Sequence, residues 1–332
     1  MRAERIRFVG PREIVTETVD VPDPRPGEVM VRTEYSGISG GTELLAYRGE
    51  LDPQAPLDET LGSLAGTFAY PFSYGYSCVG RVERSRGLTG EGERVFAFHP
   101  HQDALTVGEG ETIPLGSTDA RTATLLPLVE TALQVSLDGG PRIAETAVVL
   151  GLGVVGTLTG ALLHRAGAEV IGSDPDGFRR EVAESFGLRA VDPDGLRASV
   201  EAATGGRGVG LCVEASGNPA ALADALSLLA HEGVALVVSW YGTKAVSLPL
   251  GADFHRRRLS IRSTQVSTIP SALRATWNVE RRRSVARQLL DELPVKLLAT
   301  HEFSFHNAAR AFEALDRGEP GLIHAALRYP QP

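Results

Sequence analysis

Cysteine is scarce in this 332-residue chain, with Cys78 and Cys212 its only two. Two thiols so far apart in sequence exclude a disulfide framework and leave nothing for a four-cysteine zinc lobe. Long apolar runs are missing too: no stretch approaches the roughly eighteen residues that a membrane span needs. The opening Met1-Arg2-Ala3-Glu4-Arg5 has no apolar run behind it, so neither a signal peptide nor an anchor is expected, and a cytoplasmic location is. Lysine is nearly absent, limited to Lys244 and Lys296, and the net charge is -8. That balance excludes the basic surface on which non-specific nucleic-acid or membrane binding depends. The clusters Arg256-Arg257-Arg258 and Arg281-Arg282-Arg283 belong to no basic tail or periodic basic face. They read as solvated ends of secondary-structure elements.

What is present is an ordinary globular balance, 42% hydrophobic and 22% charged, in a chain long enough for two domains. Residues 1 to about 105 read as short strands punctuated by glycine and proline. Ile14 to Val21, Glu28 to Arg32, Cys78 to Glu83 and Arg94 to Phe98 are the strand candidates, which suggests a partly open β-barrel. The pattern then changes. Ala120 to Leu137 has helical spacing, and from Ala147 onward strands alternate with helices. Strands fall at 147–150, 169–172, 210–214 and 234–239, with helices at 155–166, 178–186 and 219–230 between them. Continuous apolar strands separated by helices imply a parallel sheet covered on both faces, the doubly wound α/β architecture. A helix over 306–315 and a closing strand over 322–329 follow. The expected division is a dinucleotide-binding domain over 121–265 and a barrel domain over 1–120 completed by 266–332.

The sharpest signal is Gly151-Leu152-Gly153-Val154-Val155-Gly156. The turn follows an expected strand at once and opens an expected helix, the context that gives a GxGxxG its meaning. Gly151 makes the tight turn, Gly153 lets a pyrophosphate approach the backbone, and Gly156 lets helix and strand pack closely. The amides of Val154 and Val155 then offer donors at a positive dipole end. Asp174, about 20 residues on, is placed to accept from ribose hydroxyls. Its charge opposes a 2′-phosphate, so NAD is the expected cofactor and NADP the less favoured one, while Arg179 and Arg180 pull the other way.

These features, with several motifs in order, resemble the medium-chain dehydrogenase/reductase superfamily, which includes zinc alcohol dehydrogenases and quinone reductases. Pro26-Gly27-Glu28-Val29 is similar to its opening turn, and Ser36 through Glu43 to its first active-site loop. Gly75-Tyr76-Ser77 stands where the family has Gly-His-Glu, and Gly92-Glu93-Arg94-Val95 where it has Gly-Asp-Arg-Val. Val213 to Gly217 and the segment from Phe303 to Leu315 complete the resemblance. The active-site loop is most similar to the bacteriochlorophyllide-dehydrogenase-like and biosynthetic branches. The resemblance implies a GroES-like barrel domain joined to a Rossmann domain.

It also implies site residues, and here the sequence departs from the family. The cysteine ligand of a catalytic zinc is replaced by Ser39 or Gly40, and the histidine ligand by Tyr76. Glu130 matches a third ligand of polyol-type members. One carboxylate does not make a zinc site, so zinc independence is expected, with His99 and His101 the residues from which a metal site would have to be rebuilt. Without zinc, an oxygen gaining charge during hydride transfer needs a hydrogen-bond donor. Tyr76 is the first candidate and His99 the second, with Glu130 and Ser39 beside them. Ala215, Ser216, Ser239, Trp240, Tyr241, Ser263, Thr264 and Gln265 fall where the family contacts the cofactor, and His324 where the closing segment reaches toward the pyrophosphate. The expected function is NAD-dependent interconversion of an alcohol and a carbonyl on a small or biosynthetic substrate, by a homodimer. Two alternatives stay open: an NAD(P)H-dependent enoyl or quinone reductase, and a nicotinamide-binding sensor or scaffold without turnover.

Overall fold

The computed structural model describes residues 1–331. Along the chain come β1 (Arg2–Gly10), β2 (Glu13–Asp20), β3 (Glu28–Ile38), α1 (Thr42–Arg48), β4 (Cys78–Ser85), β5 (Arg94–Ala97), β6 (Ala104–Gly108) and β7 (Thr112–Pro114). Two helices follow, α2 (Ala120–Ala123) and α3 (Leu126–Gly139). An alternating stretch comes next: β8 (Thr146–Leu150), α4 (Val154–Arg165), β9 (Glu169–Ser173), α5 (Gly177–Glu184), β10 (Arg189–Val191) and α6 (Pro193–Thr204). It continues with β11 (Val209–Glu214), α7 (Pro219–Leu228), β12 (Leu229–Val237), β13 (Ser260–Ser263) and α8 (Val279–Glu292). The chain closes with β14 (His301–Ser304), α9 (Ala308–Arg317) and β15 (Ala325–Arg328). No helix of the described residues is long and apolar enough to cross a membrane.

Two compact units result, one of Met1–Pro127 with Val295–Pro332 and one of Leu128–Pro294. In the first, a mixed sheet runs β14-β15-β3-β4-β5-β7, with β6 also paired to β3, and β1 and β2 form a separate hairpin. The long β3 is the hub, since β15, β4 and β6 all pair with it antiparallel. The sheet is thus an open mixed one rather than a closed barrel. Its core is aromatic: Phe8 stacks on Phe72 at 5.2 Å and meets Phe312 of α9 edge-on at 5.4 Å. Such pairs fix ring geometry as well as burying area.

The second unit carries a six-stranded sheet in the order β10-β9-β8-β11-β12-β13, every pairing parallel. Sequence order reverses between β8 and β11, which is the switch point where open α/β sheets hold their ligands. The strands are buried on both faces, Val148, Val149, Cys212 and Val213 each at 0% exposure, as covered parallel strands must be.

Several sequence expectations need correction. The helix expected over 120–137 is two helices, because Pro127 lacks an N–H and fits only the first turn of a new one. Residues 266–294 belong to the sheet-bearing unit, although the sequence reading placed them with the barrel. Arg282 of α8 explains that placement. Far from being a solvated element end, it is 2% exposed and hydrogen-bonds Glu130 and Gln134 of α3.

Candidate functional site

The glycine turn joins β8 to α4 within the second unit. Gly151 has φ +88°, and a Cβ there would lie 2.5 Å from the Ser216 Cα, so this turn packs directly on the turn after β11. A Cβ on Gly156 would lie 1.8 Å from the Gly151 carbonyl oxygen, which closes that position to every other residue. Gly153 differs: it precedes α4, and a Cβ there would meet nothing within 4 Å. Open space beside a helix start, with first-turn amides that lack intrahelical acceptors, makes a cradle for an anionic group. Val154 and Val155 begin that helix.

Asp174 follows β9 and is 4% exposed. Its Oδ2 accepts from the Leu152 amide at 2.8 Å and its Oδ1 from the Asp176 amide at 2.9 Å. The carboxylate therefore braces the glycine turn as well as standing at the strand end. Arg179 of α5 lies 3.9 Å from Asp174 and 3.8 Å from Asp176, and its Nε has no hydrogen-bond partner.

The turns after β11 and β12 are tied by Glu214, which sequence reasoning passed over. Its Oε1 accepts from the amide and the hydroxyl of Ser216, at 2.7 and 2.5 Å, and its Oε2 accepts from the Tyr241 hydroxyl at 2.5 Å. Burial and this carboxylate push the Tyr241 phenol well above its ordinary range. Ser239 Oγ accepts from the Gly217 amide at 2.8 Å, while Ala215 is part-buried and Trp240 exposed. Thr264 donates to Asp138 at 2.5 Å, and Gln265 caps the Ser267 amide at 2.5 Å. Ser263 ends β13. A carboxylate inside a strand buried on both faces was the available signal for Glu214, since such a group requires nearby donors.

In the first unit, Tyr76 precedes β4 and is partly buried against the aromatic core, 6.1 Å from Tyr74 edge to face. Burial, and then the charge of Glu43, raise its pKa well above the ordinary phenol value, whereas hydrogen bonds with Ser39 and Thr42 pull it down. Burial wins, and the hydroxyl keeps its proton at neutral pH. Ser39 is itself buried, its amide donating to Glu43 Oε1 at 2.9 Å.

His99 does not offer the donor expected of it. Its Nδ1–H donates to the Pro100 carbonyl at 3.0 Å, and burial lowers its pKa to about 4. The ring is neutral, and Nε2 is left as an acceptor. His101 lies deeper, with both nitrogens engaged at 2.7 Å by Ser36 and Glu43. His324 is fully buried, its Nε2 3.1 Å from the Thr124 hydroxyl and its pKa lowered to about 4 by desolvation. Glu130, in the second unit, is engaged by arginines of that unit. Arg282 holds its Oε1 at 3.0 and 2.9 Å, with Arg283 at 3.5 Å.

An α/β unit of this strand order, a glycine cradle at its switch point and an acidic residue after the second strand together define a dinucleotide-binding unit. The comparisons agree. A family profile described as zinc-binding dehydrogenase matches residues 154–279. The 2-desacetyl-2-hydroxyethyl bacteriochlorophyllide A dehydrogenase of Cereibacter sphaeroides is 34% identical over 98 residues, 29% of this chain and 27% of that protein. The 2-dehydro-3-deoxy-L-galactonate 5-dehydrogenase of Pseudoalteromonas atlantica is 28% identical over 66% of this chain and 71% of its own. The solved 2R,3R-butanediol dehydrogenase of Bacillus subtilis superposes with a TM-score of 0.79 at 20% identity, covering 99% of this chain and 100% of the other. The chain is thus similar to zinc-binding dehydrogenases over part of its length and shares the fold of the solved butanediol dehydrogenase over nearly all of it.

The residues here do not fit that family's catalytic zinc. Serine or glycine and a protonated phenol stand in the two ligand positions, and the matching carboxylate is bound to arginine. A catalytic zinc takes three nitrogen, thiolate or carboxylate ligands. Among the described residues no three His, Cys, Asp or Glu side chains gather to hold a metal. The nicotinamide dinucleotide does fit: Gly151, Gly153, Gly156 and the α4 amides would hold its pyrophosphate, and Asp174 a ribose.

Proposed function

We propose that this enzyme interconverts an alcohol and a carbonyl on a small or biosynthetic substrate with NAD(H), and that Tyr76 takes over the work of the missing zinc. The observation that carries the reading is the place of Tyr76, partly buried just before β4 and beside the Ser39 loop, with a phenol that burial and Glu43 keep protonated. The bound nicotinamide supplies or accepts the hydride. Tyr76 donates its proton to the carbonyl oxygen as that oxygen becomes an alkoxide. Ser39 and Thr42 hold the phenol oxygen while the proton leaves, and they stabilise the charge left on it. At neutral pH the phenol is protonated and so available as a donor, and because burial makes it a weaker acid the phenolate must be stabilised as its proton leaves. Both named relatives are dehydrogenases, one of a sugar acid, which supports alcohol–carbonyl exchange over reduction of a C=C bond.

Asp174 supports NAD(H), because its buried charge opposes a 2′-phosphate. The reading includes a homodimer paired along β13, the sheet edge whose one strand neighbour is β12, and a cytoplasmic location. Tyr76→Phe keeps the ring and removes only the hydroxyl. On the best substrate from a panel of ketones and enones, turnover falls by about 10²-fold or more while NADH affinity is unchanged. Turnover within a few-fold of the parent defeats the assignment. One tightly held zinc per chain in elemental analysis defeats the metal-free mechanism.

A further inference from the structure

The first unit buries a chain of polar groups that the proposed reaction leaves unused. Glu43, in α1, and His101, between β5 and β6, are each at 0% exposure. His101 Nε2 is 2.7 Å from Glu43 Oε2, and its Nδ1 is 2.7 Å from Ser36 Oγ. Ser36 Oγ is 2.9 Å from the Tyr329 hydroxyl. At the other end, Glu43 Oε1 accepts from the Ser39 amide at 2.9 Å, and the Ser39 side chain lies beside the Tyr76 phenol.

His101 Nε2 donates to the Glu43 carboxylate, Ser36 and Tyr329 continue the chain behind the imidazole, and the chain ends on the carboxylate beside the Ser39 loop. A second contact reaches Tyr76 from its backbone side. A Cβ on Gly75, the residue just before it, would fall 2.7 Å from His101 Cδ2, so the strand entry to Tyr76 lies against the imidazole.

Packing alone does not call for such a chain, since apolar side chains of equal volume stabilise a core as well or better. What the chain adds is a fixed position. We propose that Glu43 and His101 are positioning residues for Tyr76, Glu43 anchoring the loop whose Ser39 meets the phenol and His101 seating both Glu43 and the Gly75 backbone. The inference rests on the reading of Tyr76 as the proton donor.

The test uses the full chain with tyrosine labelled at the ring carbon bearing oxygen, its Tyr76 signal assigned by its loss in Tyr76→Phe. Glu43→Gln removes the charge and replaces one acceptor oxygen by an NH2, so the amide keeps the Ser39 N–H and meets His101 only if the imidazole changes tautomer. The Tyr76 signal then moves. With NADH and the best ketone of the panel, turnover falls about tenfold while the KM for NADH holds, and Glu43→Asp recovers part of it. In a Tyr76→Phe background, Glu43→Gln costs about twofold at most, because the group it positioned is gone. An unmoved Tyr76 signal in folded Glu43→Gln overturns the proposal, as does an undiminished tenfold loss on the Tyr76→Phe background. Should Glu43→Gln fail to fold, Ser36→Ala breaks the chain behind His101 and is read by the same signal. Full turnover in Tyr76→Phe sinks the proton-donor reading instead, and the signal alone then decides the positioning.

Discussion

Gly153 and Gly156 stand three residues apart in one turn, and replacing each with alanine separates the turn's two duties. At Gly156 the added Cβ would sit 1.8 Å from a backbone carbonyl oxygen, against the 3.0 Å that real Cβ atoms respect. No side chain is there to swing aside, so β8 and α4 must part by about an ångström. Overpacking of this kind costs about 3 kcal/mol or more. For a unit of the size of Leu128–Pro294 that is a fall in Tm of about 6–12 °C. Gly153 has φ -69° and ψ -169°, which any residue adopts, and its Cβ enters empty space. Lost unfolded-state entropy favours alanine there, the preference for glycine over alanine at a helix start opposes it, and the net change is within about 1 kcal/mol. That empty space is where the pyrophosphate must come close. Gly153→Ala therefore melts like the parent yet binds NADH about tenfold or more weakly, a loss of about 1.4 kcal/mol. Thermal melts and NADH fluorescence titrations read both effects. Gly153→Ala binding NADH within about twofold of the parent would falsify the placement of the cofactor on this turn.

Asp174→Ser removes the acceptor that braces the Leu152 amide and the charge that opposes a 2′-phosphate. NADH affinity should fall and the preference for NADH over NADPH should shrink about tenfold, and an unchanged ratio in parallel titrations speaks against Asp174 as the selector. Glu130→Gln leaves the buried Arg282 without its carboxylate, and urea unfolding should show about 3 kcal/mol lost. A loss under about 0.5 kcal/mol with turnover abolished would return Glu130 to a catalytic role. His99 and His324 titrate near 4 in the folded chain against an ordinary 6.5. Their folded values are depressed, so their contribution is full above about pH 6.5 and is lost as the pH falls through 4. Stability should drop between pH 7 and pH 5, above the range where carboxylates titrate, and His324→Asn should flatten the drop. Equal parental stability at the two pH values contradicts the burial argument.

The sheet's strands β8, β9, β11 and β12 were legible because each declares itself locally, whereas the short β10 and β13 were not. A strand buried on both faces is a run of apolar residues, and a glycine turn is read from three positions. Elements that mix charge with burial were not legible. Strand β1 buries Ala3, Ile6 and Phe8 among arginines and a glutamate, which hides its alternation. Helix α8 buries Arg282, Ala286, Leu289 and Leu290, an i, i+4, i+7, i+8 face whose first position is a charge. Helix α6 was the avoidable omission: Asp192 caps it, Pro193 opens it and Gly205 ends it at φ +60°. In the site, the positions of Tyr76, Ser39 and Asp174 were readable from motif spacing. Their partners were not, since Glu43 meets His101 across 58 residues of chain and Glu130 meets Arg282 across 152.

Those partners decide what the site can do. Glu43, Glu130 and Glu214 are all buried, and each is a residue type that binds metal or moves protons elsewhere. Glu43 has one oxygen on the Ser39 amide and the other on His101. Glu214 has one on Ser216 and the other on Tyr241. Glu130 accepts twice from Arg282 through a single oxygen. A carboxylate whose oxygens are occupied by such donors has no position left for a substrate or a metal. His99 and His101 are excluded on similar grounds, the first left with only an acceptor and the second enclosed on both nitrogens. Among the candidates, the group that still holds a transferable proton beside the active-site loop is the Tyr76 phenol. Burial keeps that proton in place at neutral pH, as the proposed role of Tyr76 requires.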